Sequence, residues 1–553
     1  MGENPQVSAS GHRPAGPQGE TGQRGSVVAA LMLSMALVAL DGTILSTSVP
    51  SIVADLGGFS IFSWLFAGYL LAITVSLPVY GKLCDTVGRK PVLVFGIVLF
   101  LLGSVLCAMA WNMGSLIAFR IIQGLGGGAL QGTVHTIASD LYPLKERPRI
   151  QSRLSIVWGV SAVTGPAVGG VLATYADWRW IFLINVPVGL VALWLIVRQL
   201  RESAPGVHAN GPGAGGTRGI RGFLGGRTAD GSERAPIDWL GALTVFAAGT
   251  ALLAALVQGG IAWSWFSAPS LALLGTGAVL IVALVLIERR AAEPMLPGWV
   301  WRRPTIAAVN LALCGLGVLM TAPAVFLPTY AQSVMGLDPI AAGLVLSVMT
   351  LSWPVTAAWS NRIYNRIGFR QTAMIGVGCA ALVLAAFPLL PYPPSPWQPA
   401  LMMLLLGAAL GIFQLPLIVG VQSTVVWYER GVTTASVLFY RQIGQSVGAA
   451  VFGAVGNAVL ASRLGGTSDL DSVSRTLEDS DSLSEEAADG LRRAVDAAVD
   501  HVFVGGAVAA VLALLALLLL APRHFPVIDD EPGPGQNAEG TADDGRPRER
   551  TEG

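Results

Sequence analysis

Charge is what this chain has least of: Asp, Glu, Lys and Arg make up 12% of its 553 residues, about half the share in an ordinary soluble domain. A single water-facing core is excluded. The 34 basic and 34 acidic side chains cancel, so no polyanionic partner such as nucleic acid is indicated. Cysteine is sparse too. Cys84, Cys107, Cys314 and Cys379 lie inside or at the edges of apolar runs without paired spacing, which leaves them as small packing residues and gives no disulfide or metal framework. Nucleotide-binding loops, metal-ligand clusters and nucleophile–base constellations are missing as well, so neither enzymatic activity nor a cofactor is expected. Gly124-Leu125-Gly126-Gly127-Gly128-Ala129 mimics a dinucleotide fingerprint, but no strand precedes it and it lies in an apolar helix.

What is abundant is apolar. Hydrophobic residues reach 53% with a mean hydropathy of +0.62, and the 67 glycines suit helices packed closely in lipid. A membrane span needs about 20 mostly apolar residues. Candidates fall near 26–49, 61–80, 91–111, 114–138, 152–174, 180–199, 238–258, 269–287, 305–327, 340–360, 371–391, 398–420, 433–461 and 501–521. The fold class is therefore all-α integral membrane with about fourteen spans. The first run is too long for a signal peptide and lacks a cleavage site, so it is retained.

Orientation follows from basic residues, which gather in short cytoplasmic loops. With the N-terminus inside, the inner loops hold Lys82, Arg89 and Lys90; Lys145, Arg147 and Arg149; Arg198 and Arg201; Arg289, Arg290, Arg302 and Arg303; and Arg362, Arg366 and Arg370, against Arg179 alone in the short outer loops. Both termini are then cytoplasmic in a multi-pass plasma-membrane protein. Two segments break the alternation. Residues 201–237 read as a Gly-rich inner linker, and 463–500 as an acidic outer loop with ten Asp or Glu against four Arg. Ser482 and Glu485 have capping-box spacing ahead of Leu483, Ala487, Leu491, Val495 and Val499, so the second half of that loop is expected to be helical. A solvated cap and a substrate-recruiting acidic surface are both open readings of it.

The chain repeats itself. Gly81-Lys82-Leu83-Cys84-Asp85-Thr86-Val87-Gly88-Arg89-Lys90 aligns with Asn361-Arg362-Ile363-Tyr364-Asn365-Arg366-Ile367-Gly368-Phe369-Arg370 at an offset of 280 residues. Internal repeats of this kind underlie transporters in which two bundles rock about a midplane site. Gly81 to Lys90 resembles the signature loop of the major facilitator superfamily. Leu40-Asp41-Gly42-Thr43-Ile44, Arg120-Ile121-Ile122-Gln123-Gly124, and Gly159 through Thr164 with Gly165-Pro166-Ala167-Val168-Gly169-Gly170 resemble motifs of its 14-helix drug:proton antiporter branch. Trp178 through Pro187 and Arg441-Gln442-Ile443-Gly444 are similar to that branch too.

The resemblance implies a six-helix bundle over 26–200, two inserted helices over 238–287 and a second six-helix bundle over 288–521, between polar, disordered cytoplasmic ends at 1–25 and 522–553. It also implies a monomer that exports a lipophilic drug, antibiotic or other toxic compound in exchange for protons. A dedicated exporter of one endogenous metabolite and a proton symporter for uptake are the alternatives. The second signature loop has lost its Gly (Asn361) and its acid (Asn365). Gating is therefore expected to rest on Gly81, Asp85, Gly88, Arg89 and Lys90.

Asp41 is the acid placed clearly within the hydrocarbon, where a charge costs roughly 3 kcal/mol on insertion scales and needs a partner, a proton or water. Arg120 is the partner at matching depth. Asp41 stands about eight residues from the outer end of its span and Arg120 about six from the outer start of its own, at about 1.5 Å per residue. Two functions remain open: a fixed pair that sets helix register, or a protonation switch that couples proton entry to bundle rearrangement.

Arg120, Gly124, Gly128 and Gly132 form a column permitting close helix approach, and Gln123, Gly127, Gln131 and His135 a polar stripe suited to a watery cavity. In the fifth span, Gly159, Gly165, Pro166, Gly169 and Gly170 predict a kink and close bundle contact, which the resemblance makes an antiporter motif. Asp85 could face a helix N-terminus while Arg89 and Lys90 hold acids or lipid phosphates. Gln123, Gln131, His135, Asn310, Gln414, Arg441 and Gln445 are the substrate-path candidates, with Arg441 also near enough to the inner surface to snorkel.

Overall fold

The computed structural model describes residues 18–45, 48–57, 64–142, 146–200, 239–258, 263–264, 266–291, 297–464 and 485–528. The linker 201–237, the first half of the acidic loop with its Ser482 cap, and most of the C-terminal tail lie outside these residues. Among the described residues the secondary structure is helical, without a strand. The first bundle comprises α1 (Gln18–Ile44), a short α2 (Val49–Leu56), α3 (Trp64–Thr86), α4 (Arg89–Ala108), α5 (Met113–Leu141), α6 (Arg147–Tyr175), and the pair α7 (Trp180–Leu183) and α8 (Asn185–Gln199). Next come α9 (Trp239–Gln258) and α10 (Ala268–Glu288). The second bundle runs through α11 (Trp299–Arg302), α12 (Pro304–Thr321), α13 (Leu327–Ser333), α14 (Pro339–Ile367), α15 (Phe369–Ala386), α16 (Trp397–Gln422), α17 (Arg430–Leu464) and α18 (Glu485–Leu520).

Among the described residues twelve helices are long and apolar enough to cross a membrane. Two further helices fall where the sequence places spans but are not among the twelve: α6, whose polar and glycine-rich face lowers its hydropathy, and α9, represented by the shorter apolar stretch Leu240–Leu256.

Helices outlast the apolar runs that announce them, because backbone hydrogen bonding does not stop at the membrane surface. The Gly81–Lys90 segment, expected as a loop, is helical through Thr86 and resumes at Arg89, and only Val87 and Gly88 break it. Its repeat behaves alike, with the break at Gly368. Gly88 (φ 111°) and Gly368 (φ 88°) both adopt a backbone that only glycine takes without strain, which explains why this position survives in both copies. The N-terminal segment is helical from Gln18 rather than disordered to 25, and α18 begins at Glu485, sixteen residues before the expected span. The first span ends at Ile44, not 49, and the chain turns into the amphipathic α2. The start of the C-terminal tail is docked: Phe525 is buried beside Phe369, and Ile528 N donates to Ser423 O at 2.8 Å.

The two bundles meet along two seams related by the internal repeat. The second span of the first bundle, α3, lies against α17, and its counterpart α14 lies against α6. At the first seam a Cβ on Gly81 would sit 2.4 Å from Ala435 Cβ; at the second, a Cβ on Gly159 would sit 2.9 Å from Thr350 O, and Ser152 Oγ donates to Pro354 O at 2.7 Å. Within the first bundle α5 is clasped by α3 and α4. Cβ atoms at Gly124 and Gly128 would strike Tyr69 O and Ser76 Oγ, and one at Gly126 would strike Phe100 N. Helix α9 leans on both α3 and α17, so the inserted pair lies beside the first seam.

Candidate functional site

Four helices converge on Asp41. It lies in the last turn of α1, nearer the helix end than the span estimate placed it, and is 1% exposed, as is Arg120 on α5. Arg120 Nη1 donates to Asp41 Oδ2 in a close ion pair. The other carboxylate oxygen accepts from Gln123 Nε2 at 2.8 Å and from Asn185 Nδ2 at 3.1 Å. Ser104 on α4 backs both amides, its Oγ accepting from Gln123 at 2.8 Å and from Asn185 at 3.4 Å. The guanidinium lies 3.9 Å over the Tyr69 ring and also donates to Gln123 Oε1 at 2.8 Å. A buried ion pair offsets its desolvation only when the remaining lone pairs and protons are satisfied, and here they largely are.

This geometry has a chemical consequence. Gln123 touches both ions: its amide nitrogen serves Asp41 and its oxygen serves Arg120. A proton added to Asp41 cancels the attraction to Arg120, yet the guanidinium keeps Gln123 Oε1 and the Tyr69 face. The site can therefore exist in two protonation states without orphaning its cation.

Gln123 was expected on a cavity-lining stripe. Instead it is wholly buried against α4, because Gly103 leaves room: a Cβ there would lie 2.5 Å from Gln123 Cα. His135, lower on the same stripe, pairs its Nδ1 with Gln151 Oε1 at 2.7 Å across to α6, while Gln131 is 3% exposed with its Oε1 unpartnered. Asn310 is buried and accepts from Ser436 Oγ at 3.3 Å. Gln414 and Gln445 are half-buried on α16 and α17.

A second cluster ties the bundles together at the end carrying the repeated motif. Asp85 Oδ1 accepts from Gly431 N at 2.9 Å and Oδ2 from Val432 N at 2.8 Å, so the carboxylate sits on the N-terminus of α17, where free N–H groups and the helix dipole favour an anion. Arg89 pairs with Asp85 at 3.1 Å and Asp140 at 2.9 Å, and Arg430 of the second bundle also reaches Asp140 at 3.3 Å. Lys90 makes its contact within the first bundle, at 3.0 Å. Its Nζ donates to Val197 O near the end of α8, as its repeat partner Arg370 donates to Leu517 O and Leu518 O near the end of α18.

The glycine motif of α6 packs on α1. A Cβ on Gly165 would lie 2.1 Å from Thr43 Oγ1, and Ser48 Oγ donates to Gly169 O at 3.4 Å. Helix α6 runs continuously as α-helix through Pro166 and Gly170. At the opposite end of the bundle from Asp85, Asp55 accepts from Trp178 Nε1 and Arg179 Nη1, both at 3.0 Å, and these donors hold its carboxyl below the usual carboxylate range.

Asn185, Ser104, Tyr69, Asp140, Trp427, Arg430 and Gln151 complete these clusters and were not singled out from sequence. Asn185 carried a signal, a lone amide inside the Trp178–Pro187 stretch. The others are ordinary residues whose roles come from helices distant in sequence.

Known proteins agree with this architecture. The description "Major Facilitator Superfamily" fits residues 31–449. The chain is 31% identical to multidrug resistance protein 3 of Bacillus subtilis over 79% of its own length and 80% of that protein's, and 31% identical to the multidrug transporter protein MdtP of the same organism over 80% and 77%. Among solved structures, it superposes on the human organic anion transporter MFSD10 with a TM-score of 0.59 at 14% identity, covering 90% of this chain and 99% of that one. The proton:xylose symporter XylE superposes with a TM-score of 0.56, also at 14% identity, over 92% and 98%. With a family match across most of its length and relatives 31% identical over about four-fifths of both chains, this chain belongs to the major facilitator superfamily.

Proposed function

We propose that this membrane transporter is a proton-coupled antiporter of fourteen spans, monomeric and with both termini cytoplasmic, that exports a lipophilic small molecule across the plasma membrane. One observation carries the reading: a carboxylate sealed among four helices, engaged by one cation and two amides, with an alternative acceptor ready for that cation. Gln123 would satisfy a fixed pair too, but its oxygen also leaves Arg120 a partner once Asp41 is protonated, which a switch requires. The names of the Bacillus relatives, a multidrug resistance protein and a multidrug transporter, favour export of lipophilic compounds. Protonation of Asp41 from outside would weaken the grip of α1 on α5. The Asp85–α17 contact at the other end is then the gate that must open for cytoplasmic release of the proton and entry of substrate.

The test is transport of a lipophilic fluorescent dye in proteoliposomes with an imposed pH gradient. Asp41→Asn should reduce gradient-driven movement at least tenfold, about 1.4 kcal/mol of lost coupling, while the protein remains monodisperse. Unchanged proton-coupled transport by Asp41→Asn overturns the proposal.

A further inference from the structure

Two buried polar atoms inside the first bundle have no partner among the described residues: the Tyr69 hydroxyl on α3 and Gln131 Oε1 on α5, each on a residue 3% exposed. A buried polar atom left without a hydrogen bond costs about 1–3 kcal/mol, and such atoms are characteristically held by ordered water. The other polar side chains around Asp41, namely Arg120, Gln123, Asn185 and Ser104, are spent on Asp41 and on one another. The Tyr69 hydroxyl is left over beside them.

A missing side chain sets their placement. On α5, Gln123, Gly127, Gln131 and His135 follow one another at four-residue spacing, about 6 Å per step along the axis. Gly127 leaves the second position open, and Tyr69 fills it from α3. Its ring centre lies 3.9 Å from the Arg120 guanidinium carbon, and its hydroxyl oxygen would stand 3.5 Å from a Cβ on Gly127. Ile73, one turn further along α3, closes the flank of the slot at 3.3 Å from the same point. Helical side chains lean toward the N-terminus of their own helix, so Gln131 leans back toward this slot. Tyr69 thus reaches from the layer of the Asp41–Arg120 pair to the next turn of the stripe. One step beyond Gln131, His135 is half-buried, and it stands five residues before Asp140 of the latch.

We propose that Tyr69 and Gln131 are the fixed points of a water-bridged path that carries the proton of Asp41 along α5 toward the latch. One helical turn matches the reach of a single water that accepts from the Tyr69 hydroxyl and donates to Gln131 Oε1, through two hydrogen bonds of about 2.8 Å each. The transfer balances at every step. The Asp41 carboxyl gives its proton to a first water, that water gives one of its own to the Tyr69 oxygen, and the phenol releases its original hydrogen to the bridging water. Tyr69 ends neutral, and rotation of its hydroxyl resets it. Gln131 gains and loses no proton; it is a positioning residue that holds the bridging water. The carboxylate left behind recovers Arg120. This inference rests on the antiport reading and deepens it by separating two tasks: Asp41 stores the proton and Tyr69 releases it.

The test is Tyr69→Phe in the full chain, which keeps the ring on Arg120 and deletes only the hydroxyl. In proteoliposomes, dye transport driven by an imposed pH gradient should slow at least about tenfold, the low end of what a positioned proton-transfer group contributes. Exchange of dye between compartments of equal pH, which requires no net proton release, should slow far less. Replacing water by heavy water should slow gradient-driven transport by a larger ratio in Tyr69→Phe than in the wild type, because proton release has become the slow step. Gln131→Leu should change both ratios in the same direction, and it carries the comparison if Tyr69→Phe does not fold. Equal slowing of transport and exchange by a monodisperse Tyr69→Phe, with an unaltered isotope ratio, overturns the path and leaves the antiport reading standing, since Tyr69 then serves only to pack Arg120. Undiminished gradient-driven transport in Tyr69→Phe does the same. A wild type that exchanges dye but ignores the pH gradient overturns the antiport reading itself and the path with it.

Discussion

Arg89 lies 3.6 Å above the indole of Trp427 and donates to that residue's carbonyl oxygen at 2.6 Å, joining two residues that are 338 positions apart. The contact seals a layer in which Asp85 and Asp140 of the first bundle hold the start of α17 through Gly431, Val432 and Arg430. At the second copy of the motif Asn365 replaces the acid, so the carboxylate contact to a helix start is built only into the first copy.

Asp85→Asn should open that end. The substitution removes the charge from two charge-assisted hydrogen bonds, each worth about 1.5–3 kcal/mol, and unbalances Arg89. In a background without the native cysteines, a cysteine at Thr433, which is fully buried beside the latch, should react with an impermeant maleimide at least tenfold faster in everted vesicles. An unaltered labelling rate would mean that the latch contributes nothing to closure.

Gly81→Val tests the same seam by size. A Cβ at Gly81 would meet Ala435 Cβ at 2.4 Å and Gly431 O at 2.9 Å, backbone and a methyl that cannot swing away. Overpacking of this kind costs about 1–3 kcal/mol. The variant should fold, since α3 is otherwise undisturbed, but favour the opened conformation, reproducing the labelling phenotype of Asp85→Asn. Gly42→Ala is the control, because nothing lies within 4 Å of a Cβ there.

Asn185 should be coupled to Asp41. With the carboxylate ionised, Asn185→Ala strips a donor from a buried charge, a loss of about 1–3 kcal/mol, larger than the ~0.6 kcal/mol average of interhelical hydrogen bonds in membranes. In an Asp41→Asn background the charge is gone and the same truncation should cost far less. Thermal unfolding of the four proteins in detergent measures the interaction energy; strict additivity would show that Asn185 serves packing alone.

The fold was legible because each link from sequence to structure was local. Apolar runs of about span length mark the helices, and Gly88 and Gly368 mark the same break twice. Asp41 and Arg120 were legible for a related reason, being isolated charges in apolar surroundings whose burial demands a partner. Gln123 misled, because helical spacing shows which residues share a face but not what packs on it; Gly103, on a different helix, decides that. Helix α2 also went unforeseen, since its apolar residues merge into the preceding run and only the break after Ile44 separates them. Arg441 could be named but not interpreted from sequence, because its defining property, a buried Nε with no hydrogen-bond partner, exists only in three dimensions.

The last prediction concerns acid. Asp55 sits outside the spans, and its carboxyl is held below the usual value of 3.8 first by Trp178 Nε1–H, then by Arg179. A carboxylate with a lowered value when folded binds fewer protons than when unfolded, so its stabilisation is complete above the unfolded value and drains away as pH falls through the folded one. Melting temperature should therefore drop between about pH 5 and pH 3 by more in the wild type than in Asp55→Asn, which has no such proton to gain. At neutral pH the variant should melt slightly lower, a small effect because the group is open to solvent and screened. Parallel acid profiles for the two proteins would remove Asp55 from the stabilising contacts at this end of the bundle and leave Trp178 to packing against Phe182, whose ring it meets edge-on at 6.2 Å.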